Sequence, residues 1–472
     1  MNIRFSAPTR LREALTVHHG REITALASPI VLTMFSQTLM WTVDTMFLGH
    51  HSSLALGAAG LGGILLWTSY SAVNNLSRIT GTFISQAHGK NDDSRVGDYA
   101  WQGMYMATLT GLVLMLLGMN ARPLMDWTGI PPHVLDGAAV YMRWRALSAV
   151  FTQWGFALMG YFQGRRKVGV PMWAGIISNL ANALLDWWFI FGWAGIEVAG
   201  HRFFEIPAMG LRGAALATSC GVALNTTIMF LAMFGSAEAR RRYRIHVPRI
   251  PNLRKLKDIA RVGAPSSVEN FVDMSTLALF STFIGRSGEI ALAANQIQIQ
   301  LLSFSFMPMW GLTTAGSVLT GNWLGASRPA DASKYGRQVY KLGLYYCLSL
   351  GVLLVLFRHQ VFRVFTPDPE VLAFGGVLAV LAAIFQVGDG MRMVGSGLLT
   401  GAGDTKPVML ITIGVMWGVM LPGSWWAIVR QGGDVTTAWA VASLSYMIQG
   451  VAFWLRFRSD SWQRVKIFSS AV

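Results

Sequence analysis

Apolar stretches broken by short polar or basic segments recur along the whole chain, at about 22–48, 53–86, 98–120, 137–163, 169–192, 209–234, 256–284, 289–322, 338–358, 370–400, 406–429 and 434–457. The runs are continuous rather than alternating, which in lipid means helices and not barrel strands. Most approach the roughly 20 residues that a spanning helix needs. The pattern predicts an all-α integral membrane protein with twelve transmembrane helices. One long basic segment, 236–257, contains Pro248 and Pro251 and divides the spans six and six. The expected organisation is therefore an N-lobe over 1–235, a basic linker over 236–257, and a C-lobe with its tail over 258–472.

The two halves repeat. A shift of 236 positions places Pro29 on Pro265, Phe47 on Phe283, Gly49 on Gly285, Ala55-Leu56 on Ala291-Leu292, Leu65-Leu66 on Leu301-Leu302 and Gly89 on Gly325. One further residue of offset brings Gly164 onto Gly401 and Met172 onto Met409. Six spans duplicated in parallel give two pseudo-symmetric six-helix bundles, an arrangement that transporters use. The copies differ at their acids: Asp44 meets Phe280, while Asn182 and Asp186 meet Val419 and Gly423.

Composition sharpens this reading. The chain of 472 residues is 53% hydrophobic but only 13% charged, against about 25% charged in ordinary soluble proteins. Its net charge of +15 could suggest nucleic acid, but the placement of the charges excludes it. Alternate loops (the N-terminal tail, 88–97, 164–168, 236–257, 325–337, 402–406 and the tail after 455) hold about 25 Lys and Arg; the opposite set holds about seven. That asymmetry predicts cytoplasmic termini in a cell inner (plasma) membrane. The basic run Arg240-Arg241-Arg242-Tyr243-Arg244 then lies against anionic lipid headgroups. Cys220 and Cys347 both fall inside apolar spans and form no disulfide framework.

Candidate chemistry lies in the first half. The first span carries one carboxylate, Asp44, and one internal proline, Pro29. A carboxylate costs about 2.5–3.5 kcal/mol at the centre of a membrane helix on insertion scales, so its default reading is functional. Proline removes a backbone donor and permits a bend. In the fifth span, Asn179, Asn182 and Asp186 are three and four residues apart and share one helical face. Two carboxylates, two amides and a hydroxyl such as Thr218 are hard oxygen donors that suit either Na⁺ or a proton. In the second half Arg392 follows Asp389 by three residues, which reads as an ion pair or as a second coupling site.

Several local patterns together resemble the multidrug and toxic compound extrusion (MATE) transporters, most nearly their DinF-type branch. These are Pro29 with Val43-Asp44-Thr45 and Phe47-Leu48-Gly49-His50; Ser85-Gln86-Ala87-His88-Gly89; Asn182 to Asp186 with Phe189-Ile190-Phe191-Gly192; Gly213-Ala214-Ala215-Leu216-Ala217-Thr218; and Thr400-Gly401-Ala402-Gly403-Asp404-Thr405. Each is weak alone, but their order covers nearly the whole chain. The resemblance implies a twelve-helix, two-lobe antiporter, not an enzyme, that exports organic and often cationic compounds in exchange for H⁺ or Na⁺. It further implies a cation site at Asp44, Asn182, Asp186 and Thr218, with a helix-four asparagine of the family falling near Gln153.

The expected cycle is that a proton or Na⁺ taken up at Asp44 and Asp186 bends the first helix at Pro29 and expels substrate. No cofactor is expected beyond the coupling ion, and the protein is expected to act as a monomer on drug-like substrates. The rival reading is a lipid-linked glycan flippase of the same superfamily, which needs cations to hold a diphosphate headgroup. The acidic mid-span charges of the first half speak against it.

Overall fold

The computed structural model describes residues 19–126, 131–193, 196–198, 201–203 and 205–469. The basic N-terminal tail and parts of the loops 121–135 and 193–212, all used above to orient the chain, lie outside these. Helix α1 is Gly20–His51. The expected second span is three successive helices, α2 (Ser53–Ser71), α3 (Asn74–Arg78) and α4 (Thr80–Gly89). Then come α5 (Asp93–Met119), the short α6 (Ala121–Met125), α7 (Pro132–Ala146), α8 (Ala149–Gly164) and α9 (Gly169–Phe191). A two-stranded antiparallel ribbon, β1 (Ile196–Val198) and β2 (His201–Phe203), leads into α10 (Leu211–Gly235) and α11 (Ala237–Arg241).

The second half is α12 (Leu253–Gly285), α13 (Glu289–Gly325), α14 (Pro329–Leu356), α15 (Arg358–Arg363) and α16 (Pro369–Ala402). It closes with α17 (Thr405–Val415), α18 (Leu421–Trp425) and α19 (Val435–Arg458), and a π-helical turn follows each of α17 and α18.

Among the described residues ten helices are long and apolar enough to cross a membrane. The expected fourth and seventh spans fall short, each for a local reason. The fourth breaks between α7 and α8, where the Ser148 hydroxyl donates to Arg145 O at 2.9 Å. The seventh, α12, carries buried Glu269 and a basic first turn. The surface is that of a membrane protein: Ile64, Leu180, Leu109 and Leu356 are 60–69% exposed, in reverse of the burial expected in water.

Two compact units result, one of Pro29–Ser275 with the residues after Val465, the other of Thr276–Val465 with the residues up to Ser28. The boundaries fall inside α1 and α12. In the first unit α9 packs on α10, α5 on α8 and α2 on α7. Segment 236–257 lies within this unit along α5: Trp101 Nε1 donates to Ile245 O, Gln102 Nε2 to Ile250 O and Tyr105 Oη to Arg249 O, at 2.6–3.1 Å. The buried Arg165 guanidinium is sandwiched by the Tyr161 and Tyr243 rings, and Lys167 and Arg165 hold the Glu238 carboxyl below its ordinary range.

In the second unit α16 is central, packed on α13, α14 and α19. Its last turn explains the Thr400 to Thr405 pattern as packing. A Cβ on Gly401 would lie 2.2 Å from Ser317 O, Gly403 takes the left-handed cap at φ 85°, and Asp404 is clamped by Arg456 at 2.8 and 3.1 Å. The positions equivalent to Asn182 and Asp186 fall in the π turn Met416–Met420 and in α18, beside Pro422, which cannot donate to the helix ladder.

Helix α1 has its own device. Pro29 supplies no N–H, so the α-helical ladder skips Ala25 O. Downstream, the hydroxyls of Thr33, Thr38, Thr42 and Thr45 donate to the carbonyls of Pro29, Met34, Thr38 and Trp41, each four residues back, at 2.8–3.2 Å. Such back-bonding favours bending.

Candidate functional site

The site assembles on α9, whose buried stripe Gly175, Ser178, Asn182, Asp186 and Ile190 recurs every three or four residues. Small residues on α10 let that stripe approach. A Cβ on Gly221 would meet Asn182 Cβ at 3.0 Å, and Gly213 already abuts the Phe189 carbonyl. Asn182 and Asp186 are fully buried, Thr218 on α10 is 5% exposed, and Asp44 enters from α1 half-buried.

The Asp44 and Asp186 carboxyl groups lie within hydrogen-bonding reach of each other, with Thr218 beside Asp44 and Asn182 beside Asp186. Neither carboxylate can donate to the other. Accordingly Asp44 Oδ1, both Asp186 oxygens and both polar atoms of the Asn182 amide are buried without a hydrogen-bond partner. Thr218 does not relieve this, because its one proton goes to Ala214 O at 2.8 Å. Four unmatched acceptor oxygens, three of them on two facing acids, are a costly arrangement unless a proton or cation joins them.

The remaining sequence candidates take other positions. Asn179 Nδ2 donates to Ser36 Oγ at 2.8 Å, tying α9 to α1 one turn above Thr33, which itself packs against Gly175. Gln153 is fully buried in a satisfied network: its Nε2 donates to Asn74 Oδ1 and its Oε1 accepts from Ser77 Oγ, both at 2.7 Å. It serves packing there. Two residues of the site were missed in the sequence. Arg145 and Tyr141, both on α7, lie within electrostatic reach of Asp44 and Asp186: Arg145 acts on both acids without an ion pair to either, its Nη1 donating to Ser148 Oγ at 3.2 Å, and Tyr141 feels the field of both. The signal available was Arg145 itself, four residues after Tyr141 in a span that begins at Pro132.

In the second unit Asp389 and Arg392 form a part-buried ion pair, with Arg392 Nε and Nη2 both 2.8 Å from Asp389 Oδ1 and the guanidinium over the Tyr446 ring. A carboxylate so held is poorly placed to exchange cations. Asp389→Asn leaves the cation without its counter-charge and is expected to cost roughly 1–3 kcal/mol. Thermal melting in detergent checks this: the double variant Asp389→Asn, Arg392→Gln should recover part of the loss.

Among the described residues no cluster of three or more His, Cys, Asp or Glu suits a metal. Two carboxylates with neutral oxygens fit a proton or a monovalent cation better than a divalent one, which gathers more charged ligands.

The MatE family model matches this sequence twice, over residues 29–188 and 265–426. The chain belongs to the MatE family. Its members are transporters rather than enzymes. The two matches begin 236 residues apart, at Pro29 and Pro265, which is the offset of the internal repeat. Among relatives, a probable multidrug resistance protein NorM of Thermotoga maritima is 28% identical, with 94% of this MatE chain and 93% of that one aligned. Multidrug resistance protein MdtK of Yersinia enterocolitica is 26% identical over 86% and 87%. Among solved structures, an outward-facing multidrug resistance MATE transporter of the MOP superfamily superposes with a TM-score of 0.83 at 19% identity, covering 96% of this chain and 98% of that one. A MATE protein in a bent conformation gives 0.81 at 20%, covering 95% and 96%. These likenesses establish the MATE fold for a membrane protein that is helical apart from one short ribbon.

Proposed function

We propose that this MatE chain is a secondary multidrug efflux antiporter of the inner membrane. It exports organic, often cationic, compounds in exchange for H⁺, with Na⁺ the alternative coupling ion, and it acts as a monomer with both termini cytoplasmic. The multidrug resistance names of its relatives support the substrate class. The observation that carries the coupling is the Asp44–Asp186 pair with its unmatched polar atoms. Coupling within this first unit, together with a second-unit Asp389 already neutralised by Arg392, fits a DinF-type member.

In the proposed cycle one proton bridges the two carboxyl groups, turning a repulsion into a hydrogen bond and drawing α1 toward α9. Na⁺ would instead be held by Asp44, Asp186, the Asn182 carbonyl oxygen and the Thr218 lone pairs. Asn179 and Ser36 pass the change along α1 to Pro29, where the helix bends and substrate leaves. Cation release on the other side resets the pair. Each state is favoured only by the cation's differential affinity, and a tenfold bias takes about 1.4 kcal/mol. A flippase would need cationic residues to hold a diphosphate; among the described residues Arg145 is the cation acting on the acid pair.

The test is ethidium transport by purified protein in vesicles carrying a pH gradient or a Na⁺ gradient, imposed separately. The pH gradient, or in the alternative the Na⁺ gradient, should drive uptake against concentration; if neither does, the antiport reading fails. Pro29→Ala should slow turnover by about tenfold while leaving ethidium binding intact, since a continuous ladder resists bending. Unchanged turnover would make the bend incidental.

A further inference from the structure

A cavity of about 380 Å³ opens in the first unit, lined by His51, Ser52, Ala58, His133 and the Ala208–Leu211 backbone segment. Its lining residues lie in, or within about five residues of, the loops 49–53, 121–135 and 193–212, which belong to the set poor in Lys and Arg, the face expected to be outer. It is lined by the end of the Asp44-bearing helix and adjoins, without being lined by, the Asp186-bearing one. His51 lies seven residues, two turns, beyond Asp44 on α1 and therefore on the same face. The cavity wall at Met209 and Gly210 is bonded to the end of α9: Met209 N donates to Phe189 O and Gly210 N to Ile190 O at 2.9 and 3.2 Å. Ile190 is one turn beyond Asp186.

Leu48, four residues from Asp44 toward His51, and Ile190, four beyond Asp186, belong to an apolar cluster with Ala59 and Ala214. Tyr141 packs against this cluster and also lies within electrostatic reach of Asp44 and Asp186. The wall at Gly210 is fitted to the imidazole. Gly210 has φ +52°, and a Cβ there would lie 2.5 Å from His51 Nε2.

Resting on the proton-coupled reading above, we propose that this histidine-lined vestibule is the port through which the coupling proton reaches Asp44 and Asp186 from the outer side. A cavity of this size with two imidazoles and exposed backbone holds a small water cluster. Histidine suits the task because one ring nitrogen can accept a proton while the other donates. His51 or His133 takes a proton from vestibule water. The proton then passes, when the Leu48–Ile190 cluster parts beside Tyr141, to a carboxylate oxygen of the pair, which becomes a carboxylic acid. The imidazole returns to neutral and is recharged from outside. The charged and titratable groups that meet this route are His133 and Tyr141 from α7, Tyr70 from α2 and Arg145 beside the acids.

The experiment uses full-length protein in vesicles with an imposed pH gradient and ethidium as the transported probe. His51→Leu with His133→Leu should slow gradient-driven transport about a hundredfold, the low end for loss of a positioned proton-transfer group, while equilibrium ethidium binding is unchanged. Independently, Ala55→Cys at the cavity wall in a Cys220→Ser background, labelled with a bulky water-soluble thiol reagent, should slow transport to a similar extent. Wild-type rates in both the double variant and the labelled protein would overturn the port. Asp44→Asn separates the two proposals: if it is inactive while both vestibule probes run normally, only the port fails. If Asp44→Asn is itself fully active, the coupling reading beneath it fails.

Discussion

Asp44→Asn protein is expected to reach the membrane in normal amount, bind substrate and yet lose gradient-driven efflux by about a hundredfold, the low end of what a lost proton-transfer group costs. The amide has the shape of the carboxyl group but cannot change charge. It also removes one of two facing like charges, so stability should hold or rise. Drug tolerance of cells expressing the variant, scored beside its membrane content, is the measurement. Wild-type tolerance would take Asp44 out of the mechanism. Asp186→Asn should behave alike, since either acid alone leaves no pair to bridge.

Gly213→Ala should be the most damaging small change near the site. The added Cβ would lie 2.2 Å from Phe189 O and 2.5 Å from Phe189 C, both backbone atoms that cannot rotate aside. The last turn of α9 must move, and Asp186 sits within that turn's reach. Overpacking of this kind costs roughly 1–3 kcal/mol. Gly235→Ala on the same helix, where nothing lies within 4 Å, is the matched control and should be neutral. Equal melting temperatures for the two variants in detergent would show that α9 and α10 are less tightly engaged than their backbones indicate.

Much of this architecture is legible in the chain because lipid enforces simple rules. Continuous apolar runs located the helices, and the spacing of Pro29 and Pro265 gave the same repeat offset as the family matches. The face shared by Asn182 and Asp186 followed from helical periodicity, and that face is the buried one. What escaped depends on packing between helices. The breaks after Ser71 and Ala146 arise from local hydroxyl and carbonyl bonds that hydropathy averages away. Arg145 went unremarked in the sequence because nothing there says that α7 brings it within electrostatic reach of the acids. The basic segment 236–257 read as a linker, whereas its carbonyls are taken up by Trp101, Gln102 and Tyr105. Its prolines and charges describe a strap as well as a tether.

The threonines of α1 bear on what flexing costs in a medium without water. A carbonyl stripped of its donor in hydrocarbon is penalised by several kcal/mol, enough to freeze most kinks. Here Thr33, Thr38, Thr42 and Thr45 each keep a hydroxyl on the carbonyl one turn behind. Opening a turn of this rod therefore exposes oxygens that are already partly satisfied, so its straight and curved shapes can stay close in energy and a single bound ion suffices to choose between them.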